Sequence, residues 1–358
     1  MTTIKVQQWP TALAASRGTI LDTALAAGVP YPYGCRSGDC GSCKSRMLSG
    51  EVTMEGYYTP EALTAAEREA GLILACRARP LTDVAVTWLA PVTVEGAFPV
   101  RRVRATIVAQ EPVTHDITRL LLSINGTPLA FAAGQFAQLI FHGLPRRPYS
   151  MANKPGVSVL EFHIRRIPHG VVSAYVANQA RLGETLKLEG PYGMAYLRTQ
   201  DACPLLLVAG GSGLAPIKSI LLAVLALPST HPIYLYHGVR DTCDLYERES
   251  LTALAQLPLF HFRPTLSMPS QATRHRTGFV HEAVAADFTT LEGFTVYLAG
   301  PPPMVEATTE VVRHLGVRVD DVHADPFYAA PEESPWSANV RHAIRSVKRA
   351  FRWCPWRP

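Results

Sequence analysis

The stretch CRSGDCGSC, residues 35–43, decides the fold of the first part of the chain, because it places three cysteines at the spacing C-x4-C-x2-C. A fourth cysteine follows at Cys76, within the sequence LILACRA. This is the spacing with which four thiolates hold a [2Fe-2S] cluster. Three of them can converge from one short loop only if the backbone turns sharply, which glycines at 34, 38 and 41 permit. The predicted iron ligands are Cys35, Cys40, Cys43 and Cys76.

Two other interpretations of the four cysteines are less well supported. A structural zinc site usually pairs its cysteines as C-x2-C twice, whereas the second half of this pattern holds one cysteine. A set of unligated thiols leaves the regular spacing unexplained. In a reducing compartment clustered cysteines indicate a metal rather than disulfides. The remaining three, Cys203, Cys243 and Cys354, are scattered along the chain.

Strand and helix patterns surround the cysteines. Residues 4–9 and 84–88 alternate as strands, and residues 19–27 are typical of a helix that ends at Gly28. Together with the cysteine motif, these patterns resemble the plant-type ferredoxin family over residues 1 to about 92. The resemblance implies a β-grasp [2Fe-2S] ferredoxin domain, which we assign to residues 1–94.

Size and composition favour a multidomain globular enzyme. The chain has 358 residues, of which 47% are hydrophobic and 18% charged, and this argues against extensive disorder. A net charge of +5, without a basic stripe in the first 330 residues, gives no indication of nucleic-acid binding. No uninterrupted apolar run reaches the ~20 residues of a membrane span, and the N-terminus lacks the pattern of a secretory signal. We therefore expect a cytoplasmic protein that binds no nucleic acid.

Beyond a linker at residues 91–99, short strands separated by turn residues follow, at 102–110, 117–124, 136–141 and 160–165. This pattern predicts a small antiparallel β-barrel. The string RPYS, residues 147–150, resembles the R-x-Y-S flavin signature of the ferredoxin-NADP reductase family. The resemblance implies a FAD-binding barrel domain over residues 100–200. In it, Arg147 pairs with the pyrophosphate, Tyr149 lies against the isoalloxazine, and Ser150 hydrogen-bonds near N5.

A second segment, EFHIRRIPHGVVSAYV at residues 161–176, resembles the strand and helix with which the same family holds the flavin phosphates. It departs from the family at one place, because the family often has two glycines before the helix and this chain has His169 and Gly170. The turn GPYG at residues 190–193 also has a counterpart in the family. The resemblance implies further flavin contacts at His163, Ile164, Arg165, Gly170, Val171, Val172 and Ser173.

From Pro204 onward strands and helices alternate, which predicts a parallel, doubly wound sheet. A glycine-rich turn follows an apolar strand and opens a helix, so its amides can face a pyrophosphate. Together with Gly300-Pro301 it resembles the nucleotide loops of the same family, which implies an NAD(P)H-binding domain over residues 201–328. The members of the turn are Gly210, Gly211, Ser212 and Gly213.

Two further residues bear on the nicotinamide cofactor. Asp241 lies in the loop where the family binds the adenosine ribose. Its charge would repel a 2′-phosphate, which favours NADH over NADPH, although the neighbouring Arg240 argues the other way. Phe327, in the sequence HADPFY, resembles the aromatic residue that covers the flavin until nicotinamide displaces it. The expected catalytic residues are thus Tyr149, Ser150 and Phe327.

The order of ferredoxin domain, flavin barrel and nicotinamide domain resembles the reductase components of bacterial aromatic ring-hydroxylating oxygenases, such as that of naphthalene 1,2-dioxygenase, over about residues 3–328. The resemblance implies that NADH delivers a hydride to FAD and that electrons then pass singly to the [2Fe-2S] cluster. A ferredoxin or a terminal oxygenase would receive them. The alternatives are a reductase for a deoxysugar dehydrase or another monooxygenase, and a non-catalytic docking module.

Residues 329–358 depart from this family. Two prolines, at 331 and 335, precede a segment in which apolar residues recur at helical spacing with arginines and a lysine between them. The pattern predicts a basic amphipathic helix. Such a helix either packs on its own domain or contacts an anionic membrane surface or an acidic partner protein. The apolar residues are Val340, Ile344, Val347 and Phe351.

Replacement of Cys40 by serine is expected to separate two activities. Loss of one of four ligands should remove most of the cluster absorbance and cytochrome c reduction, because the cluster lies at the end of the electron path. NADH oxidation by ferricyanide, which takes electrons from the flavin, should persist. Iron analysis of the wild-type protein should give about two irons per chain. A variant that retains FAD but loses both activities contradicts the linear path.

Overall fold

The computed structural model describes residues 2–15, 18–34, 36, 38, 41–56, 58–60, 62–89, 98–198, 203–228 and 230–328. Three predicted features lie outside the described residues: the ligands Cys35 and Cys40, most of the linker, and the basic tail helix. Among the helices of the described part, none has the length and apolar character required to cross a bilayer.

The first module is a five-stranded mixed sheet in the order β2-β1-β7-β3-β5, with β1 and β7 parallel, beside a separate β4-β6 pair. Its main helix begins after Thr19, whose hydroxyl accepts a hydrogen bond from the backbone N–H of Asp22 while the Asp22 carboxylate accepts one from Thr19 N–H. The elements are β1 (Thr3–Val6), β2 (Leu13–Ala14), α1 (Ile20–Ala26), β3 (Lys44–Ser49), β4 (Val52–Met54), α2 (Ala65–Glu69), β5 (Leu72–Leu74), β6 (Ala78–Pro80) and β7 (Val84–Trp88).

The second module is a six-stranded antiparallel sheet in the order β11-β10-β13-β8-β9-β12. A bridge between Met151 and Phe162 connects its two edges, so the sheet curls into a nearly closed barrel. Alternate residues of β9, among them Leu120 and Leu122, point into the barrel core. The elements are β8 (Arg101–Pro112), β9 (Ile117–Asn125), β10 (Phe136–Ile140), β11 (Arg147–Ser150), β12 (Val159–Arg165), α3 (Val171–Asn178) and β13 (Thr185–Tyr192).

The third module is a six-stranded parallel sheet in the order β17-β16-β15-β14-β18-β19. Its two central strands are buried at every position, as expected when helices cover both faces. The chain runs outward from β14 to β17 and then returns to the other side of β14, which creates a topological switch point between β14 and β18. The elements are β14 (Leu205–Gly210), α4 (Leu214–Val224), β15 (Ile233–Val239), α5 (Arg248–Leu254), β16 (Phe260–Leu266), β17 (Arg276–Thr277), α6 (Val280–Asp287), β18 (Thr295–Gly300), α7 (Pro302–His314) and β19 (Val322–Pro326).

The barrel shares its hydrophobic contacts with both neighbours. Phe136 and Tyr192 of the barrel belong to the apolar cluster of the first module. Ile117 and Ala133, also of the barrel segment, belong to the cluster beneath α4 in the third module. The barrel therefore lies between the other two modules, with packed side chains on each side.

Candidate functional site

The two described cysteine ligands lie side by side. Cys43 directly precedes β3 and Cys76 follows β5, and these strands are antiparallel neighbours. The backbone N–H of Ala75 donates to the Cys43 carbonyl at 3.1 Å, which holds the two cysteines at the same end of the sheet. Both are buried, with 4% and 7% of their surface exposed. Two adjacent buried cysteines at the mouth of the cysteine-rich loop fit two of the four ligands that a [2Fe-2S] cluster needs.

The predicted flavin signature occupies β11, at the edge of the barrel. Ser150 pairs in register with Phe136 of β10, and Tyr149 pairs with Ala137. The Ser150 hydroxyl is nearly buried and donates to the Asp325 carboxylate at 3.3 Å. Asp325 comes from β19, 175 residues further along the chain. The barrel signature thus meets the last strand of the nicotinamide sheet, and Asp325 is a site residue that sequence reasoning missed.

The segment before α3 leads into a helix N-terminus that no side chain caps. Gly170 is the N-cap of α3 and has no side-chain cap, so the first amides of this helix have no intrahelical acceptor. A Cβ at Gly170 would lie 2.5 Å from the Ser173 hydroxyl, and this close approach requires glycine. His169 adopts φ of +57°, a left-handed conformation that glycine takes more readily. At the position where the family often has a second glycine, His169 thus adopts a conformation that glycine favours. The free amides suit a phosphate group.

Three other predicted flavin residues lie on β12 in different environments. Ile164 is 1% exposed within the barrel core, so only its backbone is available to a ligand. Arg165 lies beside the glycine turn, where its guanidinium would be 3.1 Å from a Cβ on Gly211. Its Nε donates to the Asp116 carboxylate at 2.8 Å. Arg165 therefore brings a fixed positive charge to the place where barrel and nucleotide turn meet.

His163, the third of these residues, directs its side chain into a buried polar network between barrel and nicotinamide domain. Its Nε2 lies 2.8 Å from Glu161 and its Nδ1 lies 2.9 Å from the Tyr246 hydroxyl. Lys218 of α4 donates to Glu161 at 3.0 Å and to Glu247 at 2.5 Å. Burial opposes ionisation of Glu161, but the His163 hydrogen bond and the Lys218 charge outweigh it and lower its pKa to about 2. The ammonium between the two carboxylates leaves no place for a metal ion there.

Backbone atoms at the end of β18 lie very close to the glycine turn after β14. A Cβ at Gly213 would lie 2.1 Å from the carbonyl oxygen of Ala299, and a Cβ at Gly300 would lie 2.9 Å from the Cα of Gly210. Gly211 has φ of +52°. These glycines let the start of α4 approach β18 at the switch point, where parallel sheets bind nucleotides. Ser212 lies within this turn, and Pro301 is the N-cap of α7 after the second loop.

A buried histidine supports this turn. The His237 ring nitrogen Nε2 lies 3.1 Å from the Gly211 carbonyl and donates a hydrogen bond to it. Burial lowers the pKa of His237 to about 4, so the ring is neutral near pH 7 and carries one proton for this bond. The side chain of His237, which sequence reasoning did not identify, thus stabilises the backbone conformation of the turn.

The predicted ribose loop begins at Asp241. Its carboxylate accepts hydrogen bonds from the backbone of Thr242 at 2.6 Å and of Ser270 at 3.1 Å. The bonds from Ser270 and Thr242 lower the pKa of Asp241, so this half-buried group is charged near pH 7. The guanidinium of Arg240 lies 3.6 Å from Asp116 and 3.7 Å from Asp244, and two carboxylates therefore already compete for its charge.

Phe327 follows β19 and is half-buried. Its backbone N–H donates to the Gly300 carbonyl at 2.8 Å, which attaches the predicted flavin-covering residue to the second nucleotide loop. A small cavity opens nearby, and its walls come from all three modules. They include Gly34 and Ser42 of the cysteine-rich loop, Phe136 and Met194 of the barrel module, and Asp325 of the nicotinamide sheet.

These features define a class of protein, an iron-sulfur flavoprotein reductase with a nicotinamide domain. Residues 5–81 match the family of 2Fe-2S iron-sulfur cluster binding domains. Residues 104–196 match the oxidoreductase FAD-binding domain family, and residues 207–310 match the oxidoreductase NAD-binding domain family. The chain belongs to the ferredoxin-NAD(P)+ reductases that combine these three domains.

Individual relatives cover almost the whole chain. The reductase component of naphthalene 1,2-dioxygenase/salicylate 5-hydroxylase systems from Ralstonia sp is 37% identical over 316 residues, which are 88% of this chain and 95% of the relative. The corresponding naphthalene 1,2-dioxygenase component of Pseudomonas putida is 37% identical over 310 residues, 86% of this chain and 93% of the relative. The crystal structure of an Amycolatopsis cytochrome P450 reductase superposes with a TM-score of 0.83 at 35% identity, covering 92% of this chain and all of that one.

The crowding at Gly213 generates a prediction. Gly213→Ala must push α4 away from β18, because the clash is with backbone atoms, and such overpacking costs about 1–3 kcal/mol. We expect a lower melting temperature and a KM for NADH raised about tenfold. Gly183→Ala is the control, since a Cβ there meets nothing within 4 Å; its φ of +82°, unlike the −59° of Gly213, adds backbone strain without any clash. The control should lose some stability and keep its KM. A Gly213→Ala variant with the wild-type KM for NADH and the wild-type melting temperature would contradict a role of this turn in nucleotide binding.

Proposed function

We propose that this chain is the reductase component of an aromatic-ring oxygenase system. It would oxidise NADH in the cytoplasm and deliver electrons one at a time to a ferredoxin or directly to the terminal oxygenase. The observation that carries the proposal is the meeting of cysteine-rich loop, flavin barrel and nicotinamide sheet around one cavity. The relatives named for naphthalene dioxygenase systems support an aromatic-ring oxygenase as the final acceptor.

The residues of this chain divide the work among three sites. When bound, FAD accepts a hydride and releases the two electrons separately, as a one-electron cluster requires. Arg147, Tyr149 and the free amides at the start of α3 would hold it. The Ser150 hydroxyl holds its proton in the hydrogen bond to Asp325, at the junction of barrel and nicotinamide sheet. Phe136 and Tyr192 are almost fully buried and exclude water on the side facing the cysteine-rich loop.

A second candidate is a reductase for a monooxygenase or an O-demethylase. It is favoured by a relative of equal identity, the reductase subunit of an aromatic O-demethylase from Amycolatopsis sp. (strain ATCC 39116 / 75iv2), which is 37% identical over 320 residues. The two candidates share NADH, FAD and cluster, and differ only in the protein that accepts the electrons. The predicted alternative, a reductase for a deoxysugar dehydrase, likewise differs from these two only in the protein that accepts the electrons.

Purified acceptors distinguish these candidates. Under anaerobic conditions, NADH and catalytic amounts of this chain should reduce a dioxygenase-type ferredoxin or the terminal oxygenase faster than a P450-type or dehydrase acceptor. We expect a preference of about tenfold or more in kcat/KM. Equal rates with every acceptor contradict the proposed partner but not the reductase activity.

The basic tail is proposed to assist that delivery by contacting an acidic acceptor or an anionic membrane. Truncation after Ala330 should slow electron delivery to the native acceptor at low salt, and the difference should fade as salt screens the charges. Vesicle binding by the full-length chain, lost on truncation, would identify the membrane as the contact. Ferricyanide reduction should be unchanged. A truncated chain that loses both melting temperature and ferricyanide activity assigns the helix to the fold instead.

The cofactor preference follows from Asp241. The wild-type enzyme should show kcat/KM for NADH about tenfold or more above that for NADPH, because the charged carboxylate repels a 2′-phosphate. Thr242 and Ser270 donate to different oxygens of Asp241, so Asp241→Asn removes the charge and keeps an acceptor for one of the two amides. It should narrow the difference in kcat/KM between NADH and NADPH. Asp241→Ala removes the charge and both acceptors and serves as the comparison. A wild-type preference for NADPH, or an unchanged ratio in Asp241→Asn, contradicts the assignment.

A further inference from the structure

Arg36 extends from the cysteine-rich loop onto the barrel. It lies in the loop that carries the predicted ligands and adopts φ of +58°. Its guanidinium lies over the ring of Tyr192 at 4.4 Å from the ring centroid. Its Nη1 lies 3.8 Å from the carboxylate of Glu189, which is on β13 of the barrel. Only 14% of the Arg36 side chain is exposed, so this cation is held away from bulk water.

Both ends of this contact are anchored. On the first module, Arg36 donates to Asp22 at 2.6 Å, and the same Asp22 carboxylate group closes the capping box of α1. On the barrel, Glu189 accepts from the Tyr192 hydroxyl at 2.5 Å and pairs with Arg102. A rigid carboxylate therefore fixes the position of the Arg36 guanidinium on each side of the boundary.

Tyr192 is enclosed by aromatic side chains as well. Tyr33, which precedes the cysteines, packs edge-on against it at 5.8 Å and donates its hydroxyl to the Pro191 carbonyl at 3.4 Å. Phe136 packs against its other side at 5.8 Å. Phe136 is also the register partner of Ser150 on β11. Two side chains, Tyr192 and Phe136, thus connect the cysteine-rich loop to the predicted flavin strand.

We propose that Arg36 and Tyr192 form a latch that fixes the cysteine-rich loop against the barrel and so sets the separation of cluster and flavin. Arg36 is a positioning residue in this scheme, since it contacts Tyr192 and Glu189 rather than a reacting group. The contact between guanidinium and ring adds to the ion pairs of Arg36 with Asp22 and Glu189, and removal from bulk water strengthens it. The proposal rests on the proposed function, because it concerns the second electron-transfer step of that reaction.

The test perturbs the barrel side of the latch, which leaves the residues beside the cysteines intact. Tyr192→Leu removes the ring, and Tyr192→Phe keeps it while removing only the hydroxyl. In the cofactor-loaded protein, hydrogen exchange of the amides of Tyr31, Tyr33 and Gly34, within residues 31–34, reports on opening of the boundary. In Tyr192→Leu we expect this exchange to rise about tenfold and electron transfer from flavin to cluster to slow about tenfold. Tyr192→Phe should stay within about twofold of wild type in both measurements.

Three further variants distinguish a specific latch from general destabilisation. Arg36→Met should reproduce Tyr192→Leu, and the double variant should be no worse than either single one, because both remove the same interaction. Arg79→Met is the control, since Arg79 pairs with Glu55 on the surface of the first module at 2.9 Å. It should leave both readouts unchanged. NADH oxidation by ferricyanide should be the same in Arg36→Met and Arg79→Met as in wild type, and iron content should remain at the wild-type value.

Several results would overturn the latch proposal. If Tyr192→Leu and Arg36→Met leave exchange at 31–34 and the flavin-to-cluster rate unchanged, the latch does not exist. If exchange rises but the electron-transfer rate stays constant, or if the two variants add fully in the double variant, the contact is only structural and the proposal is overturned. A wild-type cluster that NADH never reduces would instead contradict the proposed function, and the exchange measurement would still test the latch.

Discussion

The barrel must hold two neighbours at fixed positions, and the rest of the structure depends on this constraint. A hydride brings two electrons at once, whereas a [2Fe-2S] cluster accepts one, so the flavin site has to contact both the nicotinamide site and the cluster. Barrel residues accordingly join the apolar clusters on both sides, through Phe136 and Tyr192 toward the cysteine-rich loop and through Ile117 toward α4.

Different kinds of side-chain contact hold the barrel to its two neighbouring modules. Toward the cysteine-rich loop the contact is aromatic, with one buried guanidinium over Tyr192. Toward the nicotinamide sheet it is ionic, with Lys218 between Glu161 and Glu247. Removing one partner from a buried ion pair typically costs about 3–5 kcal/mol, mainly because a charge is left uncompensated. Such a network opposes sliding of the nicotinamide domain along the barrel. Lys218 lies on α4, the helix that begins directly after the glycine turn. The glycine turn, predicted to bind the nucleotide, is therefore held close to the barrel that carries the predicted flavin strand.

Local motifs made much of this chain predictable, and long-range contacts account for the rest. The cysteine spacing, the strand that carries Arg147 and Ser150, and the glycine turn each depend on neighbours close in sequence. Asp325 was missed because it meets Ser150 only when β19 joins the far side of the sheet. The sequence GPYG was interpreted as a turn alone, although its tyrosine, Tyr192, lies at the boundary of two modules. The direction of the His163 side chain likewise could not be predicted from the sequence, since its partner Tyr246 lies far along the chain.

We propose that electrons pass from flavin to cluster within one chain. Anaerobic rapid mixing of wild-type protein with NADH, followed at wavelengths for flavin and cluster over a range of protein concentrations, distinguishes this path from transfer between chains. Flavin absorbance should fall first, cluster reduction should follow, and the rate of this second step should be independent of protein concentration. A rate of cluster reduction that rises in proportion to protein concentration would mean that electrons pass between chains, and transfer within one chain would then be ruled out.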